Sequence, residues 1–288
     1  MNIVSILEQG LIFAITALGI SMSYKILNFP DLSVDGSFPL GAAVASTLLV
    51  NGYSPVIALL IATMAGGISG FVTGYIHTKF NITNLLSGII VMIALYSVNL
   101  RIMGKANIHV FNQEHIFKSN YPALLIIFIL LIACKVLIDY LMKTKFGYVL
   151  RSLGDNPNVV NSLGLDDKKY KIIGLMIANG LVALSGGILA QYQGFADISM
   201  GTGILVTGLA SIILGEQILK SNKHIKLTTM VIMGSVVYRL IIALSLEIGF
   251  AASDLKLITA VILLGILVMD SKKHNIRKLF TKELGVTR

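Results

Sequence analysis

The sequence predicts an all-α polytopic membrane protein of about nine transmembrane helices, with eight and ten as the bounds. Three observations carry this. Hydrophobic residues make up 55% of the 288 residues and charged residues only 13%, where a soluble domain carries about 25% charge. Mean hydropathy is +0.83, which also excludes a disordered chain. The apolar residues fall in nine continuous runs rather than alternating ones, which argues against a β-barrel. At about 20 residues per crossing, the runs use up the chain and leave little for a soluble catalytic domain. One domain is read over 1–288.

The first run, 10–27, lacks a basic start and a small-residue cleavage site, so it reads as a retained span. The second, 38–50, is too short for a full crossing. It follows Asn28-Phe-Pro-Asp-Leu-Ser-Val-Asp-Gly-Ser37, where Pro30 removes an amide donor and Gly36 loosens the backbone. That segment lies partly within the membrane, where irregular backbone survives only against protein or a watery cavity. The runs 56–76, 85–101 and 122–141 complete a first half of about 1–142. In the third run, Gly66, Gly67, Gly70 and Gly74 suit close helix approach.

A polar stretch, 143–171, follows on the cytoplasmic side. Asp155 or Asn156 can cap a helix that starts at Pro157 and is closed by Gly164. This surface helix, 157–163, carries Val159, Val160 and Leu163 at a spacing that fills a groove in a partner; the alternative is a helix resting on lipid headgroups. The second half, about 172–270, holds the runs 172–190, 204–219, 227–246 and 251–269. A basic cytoplasmic tail, 271–288, ends the chain. Between its first two runs lies another irregular segment, 191–203. Its Phe195-Ala-Asp-Ile-Ser-Met200 aligns with Phe29-Pro-Asp-Leu-Ser-Val34 at an offset of 166 residues. Paired interrupted segments in opposite halves are the mark of an inverted-topology repeat, although three identities in six positions also arise by chance.

The formal net charge of +9 does not describe a nucleic-acid groove, because the charges lie in short loops. With nine spans and a cytoplasmic C-terminus, Lys25, Lys79, the six basic residues of 143–171, Lys220, Lys223, Lys226 and the tail all fall inside. Arg101, Lys105 and Lys118 fall outside. This bias places the N-terminus outside and the C-terminus in the cytoplasm. Cys134, the one cysteine, lies in an apolar run and allows no intrachain disulfide. His77, His109, His115, His224 and His274 have no metal-binding spacing, so no metal is assigned. Neither a phosphate-binding Gly-x-x-x-x-Gly-Lys-Ser/Thr loop nor a nucleophile elbow occurs.

Charges inside spans are functional candidates by default. Asp31 and Asp197 can each either cap the amide of the Ser two residues on or touch substrate. For Arg239 and Glu216 the bland reading is a structural ion pair or snorkelling; Lys135 and Lys256 read as snorkelling. Phe29, Phe38, Phe195, Tyr96 and Tyr192 are aromatics that could line a pathway or simply pack.

The run Phe146-Gly-Tyr-Val-Leu-Arg-Ser-Leu-Gly-Asp-Asn-Pro157, with Asn161-Ser-Leu-Gly-Leu165, resembles the coupling-helix region of bacterial ABC importer permeases, in the branched-chain amino acid and ribose branch. Leu27 through Ser37 resembles that branch's broken helix, and Gly201-Thr-Gly203 through Gly215 its second half. The run from Asn28 to Gly41 resembles the subfamily that accompanies tryptophan- and tyrosine-type binding proteins. Ribose-type permeases have an extra first span that this chain lacks.

The resemblance implies a non-enzymatic permease subunit in the bacterial cell membrane. It implies a homodimer, two ATP-binding subunits that hold ATP and Mg, and a substrate-binding lipoprotein docked outside, against the loop 104–120. No cofactor is expected in this chain. The substrate implied is a hydrophobic or aromatic amino acid. Coupling to the ATPase falls to Gly147, Arg151, Gly154, Asp155, Asn156, Pro157, Val160, Leu163 and Gly164. The pathway falls to Asn28, Phe29, Asp31, Ser33, Asp35, Phe38, Phe195, Asp197 and Ser199. The competing class is an ion-coupled secondary transporter, which also uses inverted repeats. An integral membrane enzyme would need a catalytic cluster, and none is found.

Overall fold

The computed structural model describes residues 3–118, 121–219, 225–250 and, within 254–265, all but 256, 262 and 263. Among them, seven helical stretches are long and apolar enough to cross a membrane: Ile3–Ile26, Pro55–Phe80, Asn84–Met103, Ala123–Leu141, Asp167–Gln193, Ile198–Leu219 and Leu227–Glu247. Val34–Val50 is apolar but shorter. These account for eight of the nine runs. Most of the run 251–269, the tail 271–288, Lys220, Lys223, His224, Lys256 and Asn120 lie outside the described residues.

Helix α1 (Ile3–Ser21) continues as a π-helical turn, Met22–Ile26, and stops there. The chain reverses through Asn28, whose φ of 51° is left-handed, with the Phe29 amide donating to the Ser23 carbonyl at 2.8 Å. Asn tolerates that conformation better than most residues. Helix α2 (Val34–Val50) then begins four residues earlier than the apolar run suggested. The difference has a cause: the hydroxyl of Ser37 donates to the Ser33 carbonyl and to Asn179, so its polar side chain needs no water.

Helix α3 (Pro55–Phe80) starts at a cap in which Ser54 Oγ accepts from the Ile57 amide, with Pro55 at the first position. It ends at Asn81, and α4 (Asn84–Met103) ends at the left-handed Gly104. Helix α5 (Ala123–Leu141) buries only Ile127, Leu131, Cys134 and Ile138, spaced three and four apart along one face. The rest of its apolar surface is left for lipid.

Helix α8 (Asp167–Gln193) is the core of the bundle. Asp166 caps its start, accepting from the Lys168 and Lys169 amides, and Gly194 closes it. The backbones of α2 and α3 lie directly against it. A Cβ at Gly66 would strike Asn179 and Ala183, one at Gly70 would strike Leu175, and one at Gly74 would come within 2.9 Å of Ile172. Gly67 departs from the expected small-residue stripe, since a Cβ there meets nothing nearer than 3.7 Å. Helices α9 (Ile204–Leu219) and α10 (Leu227–Glu247) pack together on the other side of α1.

Each end of the bundle is tied separately. At one end Lys25 pairs with Glu216 at 2.8 Å, and Asp139 takes Lys226 at 2.8 Å and Thr228 at 2.7 Å. The same end carries α6 (Lys145–Asp155) and α7 (Pro157–Ser162). Helix α6 was not foreseen as a helix in the polar stretch; it buries Gly147, Leu150 and Leu153 on one face. At the other end two three-residue strands, β1 (Asn107–His109) and β2 (Phe195–Asp197), pair antiparallel, Ile108 opposite Ala196. Ends with unlike charge are what the loop count predicts for the two sides of a membrane.

Candidate functional site

The two interrupted segments come together inside one chain. Asp35, in the first turn of α2, receives the Gly203 amide at 3.0 Å on one carboxylate oxygen and the Leu205 amide at 2.8 Å on the other. The first amides of α9 have no partners within their own helix, so an acidic side chain 168 residues away caps them. Gly201 fits the same junction, since a Cβ there would collide with the Asp35 carbonyl.

Asp31 is fully buried. One carboxylate oxygen accepts from the Ser33 amide at 2.8 Å and the other from Asn179 Nδ2 at 2.8 Å. The Asn179 carbonyl oxygen then accepts from Ser37 Oγ at 2.7 Å and Ser33 Oγ at 3.2 Å. Ser37 and Ser69 are joined at 2.7 Å. Asn179 sits twelve residues inside α8, so this network is deep in the bundle. From α4, Asn99 Nδ2 donates to the Gly36 carbonyl at 3.1 Å. Sequence reading missed Asn179, Asn99 and Ser69. The available signal was an amide or hydroxyl inside an otherwise apolar run, which needs an interhelical partner in lipid.

Asp197 repeats the local geometry of Asp31: its Oδ1 accepts from the Ser199 amide at 2.7 Å and from the Ser199 hydroxyl. The Ser199 hydroxyl is the largest influence holding the Asp197 carboxyl below its usual range; burial works against it, and the Ser199 amide and Asn107 assist. The capping reading of Asp31 and Asp197 therefore describes both. Asn107 also ties Asp197 to the loop that follows α4, and Val110 donates to the Gly194 carbonyl at 2.8 Å.

The aromatic residues do not gather on one surface. Phe29 and Phe38 are buried, Tyr96 is exposed, and Tyr192 donates to Glu8 at 2.7 Å. Glu216 pairs with Lys25 rather than with Arg239, whose guanidinium lies over the Phe13 ring. Lys135 pairs with Asp139 at 2.9 Å.

At the end of the bundle that carries α6 and α7, Asn156 rather than Asp155 caps α7, its Oδ1 accepting from the Asn158 amide at 3.0 Å. Gly164, with φ +74°, closes it, and the Leu165 amide returns to the Val160 carbonyl. Val160 corrects the expected partner-facing set. It is 1% exposed and belongs to the chain's own core, so it has no side-chain surface for a partner. The helix is one turn and a half long, and docking it on the bundle turns that side inward. Leu163 at 69% and Val159 at 45% remain outside. Gly147 and Gly154 serve packing: a Cβ at Gly147 would meet Met142 at 2.5 Å, and one at Gly154 would collide with the Ile26 carbonyl. Arg151 and Asp155 line a cleft of about 440 Å³ together with Lys25, Lys143 and Asp139. Among the described residues no group of three His, Cys, Asp or Glu is placed to hold a metal ion.

Membrane-length helices and a broken helix whose polar groups are satisfied by another span define a polytopic membrane protein. The chain belongs to the family described as the branched-chain amino acid transport system, permease component, whose model matches residues 2–269. It is 46% identical over 277 residues to the tyrosine transport system permease protein of Clostridioides difficile, covering 96% of this chain and 94% of that one. It is 38% identical over 272 residues to an uncharacterized protein of Rickettsia prowazekii, covering 91% and 96%. The ribose import permease protein of Escherichia coli is 25% identical over 293 residues, covering 95% and 86%. No solved structure matches the chain.

Proposed function

We propose that this permease is the membrane subunit of an ATP-driven importer that carries a hydrophobic or aromatic amino acid, tyrosine first among them, into the cytoplasm. The similarity to a tyrosine transport system permease along nearly the whole chain supports the substrate. Two copies form the pathway, two ATPase subunits grip α7, and a binding lipoprotein docks near β1–β2. ATP and Mg belong to the ATPase subunits. The chain sits in the bacterial cell membrane with its N-terminus outside and its C-terminus in the cytoplasm.

One observation carries the mechanism. Gly154 of α6 sits against the Ile26 carbonyl at the end of the broken helix, with no room for a side chain between them. A push on α7, relayed through α6, therefore reaches the turn at Asn28 and then Asp31 and Asp35. Asp35 holds the start of α9, so the two interrupted segments respond together. Closing one side while opening the other is alternating access, and the repeated Asp and Ser pairs make the segments matched joints of inverted halves. Exchange between the two states requires that ATPase contacts at Leu163 and Val159 differ between them.

The test is reconstitution in vesicles with a candidate ATPase subunit and binding protein from the same organism. Uptake of labelled L-tyrosine should require ATP and the binding protein. Uptake driven by an ion gradient without the ATPase would overturn this reading in favour of a secondary transporter.

A further inference from the structure

Arg239 lies within α10, two turns before Glu247. Its guanidinium carbon is 3.6 Å from the centroid of the Phe13 ring. Its Nε is buried without a hydrogen-bond partner. Glu8, on α1 at the same end, accepts from Tyr192. A guanidinium keeps its proton in a protein. Within a span it needs an anion or water, and a ring face offsets only part of that need.

A cavity of about 460 Å³ opens beside it, lined by Ile6, Gln9, Ile242, Ala243 and Leu246, with Glu247 at its rim. It lies between α1 and α10 at the end of the bundle that carries β1–β2, because Glu8 meets Tyr192 there. The walls are mostly apolar and the guanidinium is the cation in them. A planar fork of donors suits a carboxylate, and the apolar wall suits a hydrocarbon or aromatic side chain. Phe13, under the guanidinium, also stacks on Phe38 of α2 at 5.8 Å and 25°, which links Arg239 through one ring to the helix that follows the interrupted segment.

We infer that Arg239 binds the carboxylate of a zwitterionic amino acid in this cavity, on its way through the permease. This rests on the import reading above for the substrate class. Neither the family match nor the relatives assign such a site.

The chain contains no tryptophan, so Leu246→Trp, at a position 42% exposed on the cavity wall, supplies a single indole reporter. The full chain is placed in discs of zwitterionic lipid and titrated with L-phenylalanine, L-leucine and phenethylamine, which keeps the ring and ammonium but lacks the carboxylate. The two amino acids should give a saturable emission change, and phenethylamine should be at least tenfold weaker. Adding Arg239→Gln should abolish the response, and Arg239→Lys should restore part of it. Ala243→Phe fills the cavity without touching the charge and should abolish it too, which keeps the test open if Arg239→Gln fails to fold.

Equal responses to phenethylamine, an unchanged response in Arg239→Gln, or no saturable response to either amino acid would overturn the assignment. A response to anionic lipid in place of the amino acids would overturn it as well, assigning the guanidinium to a headgroup phosphate. If the wild-type importer fails to take up L-tyrosine while the emission change holds, the substrate reading fails and the Arg239 site stands.

Discussion

Asn179 is the residue whose loss should cost the fold most for its size. Asn179→Leu keeps the number and branching of side-chain heavy atoms and removes four hydrogen bonds: to Asp31 at 2.8 Å, to the Leu175 carbonyl at 3.1 Å, and from Ser37 and Ser33 at 2.7 and 3.2 Å. Ser37 keeps Ser69 and the Ser33 carbonyl as partners, so its loss is small. The carboxylate of Asp31 keeps the Ser33 amide alone. A bond to a charged group contributes about 1.5–3 kcal/mol, and a stranded buried hydroxyl costs about 1–3 kcal/mol. Interhelical bonds in membranes run lower, about 0.6 kcal/mol on average, because the unfolded chain in a bilayer finds other partners. A net loss of about 3 kcal/mol follows from these terms taken together. At about 2–4 °C per kcal/mol this lowers the unfolding midpoint by roughly 6–12 °C.

The assay uses a natural reporter. Cys134 is the one cysteine and is buried, so its reaction with a fluorogenic maleimide follows unfolding in detergent. A double-mutant cycle with Asp31→Val isolates the pair. With Asp31 gone, Asn179→Leu no longer strands a carboxylate, so the two effects should fall short of their sum by at least about 1 kcal/mol. Additivity within about 0.5 kcal/mol would refute the coupling and with it the claim that α8 holds the interrupted segment in place.

Leu163→Glu should leave insertion and the unfolding midpoint within about 2 °C of wild type, because the side chain is exposed, while ATP hydrolysis no longer drives uptake; undiminished uptake in vesicles would count against a coupling role for α7. Gly154→Val should disrupt the seat of α6 on α1 and reduce uptake at least tenfold, since the added side chain collides with the Ile26 carbonyl; normal uptake would show the junction is not a relay. The Asp197 carboxyl is held below its usual range, so its stabilisation is present above that range and is lost as pH falls through its folded value. The midpoint gap between wild type and Asp197→Asn should therefore close in acid, and Ser199→Ala should move that closure to higher pH; a gap independent of pH would contradict it. In a Cys134→Ser background, a cysteine at Asn112 should react with an impermeant reagent outside intact cells and one at Asn158 should not; the reverse pattern would invert the orientation.

The all-helical, polytopic character of the chain and the order of its apolar helices were legible in the sequence, because a helix in lipid must carry its apolar residues without a break and loops must carry the charge. All nine apolar runs meet helical residues among those described, and the kink at Asn28, the cap at Asn156 and the close at Gly164 lie where short-range rules put them. These depend on a few neighbours along the chain: a missing amide donor at Pro30, a capping side chain, a glycine free to turn. Which distant groups satisfy one another was decided only in three dimensions. Asp35 and the start of α9 are 168 residues apart, and Asp31 and Asn179 are 148 apart. The direction in which Val160 faces depends on where α7 docks, and the helical state of Val34–Ser37 depends on a partner from α8. A sequence shows that a polar group lies in an apolar run and must be paired; its partner is set by how the helices pack.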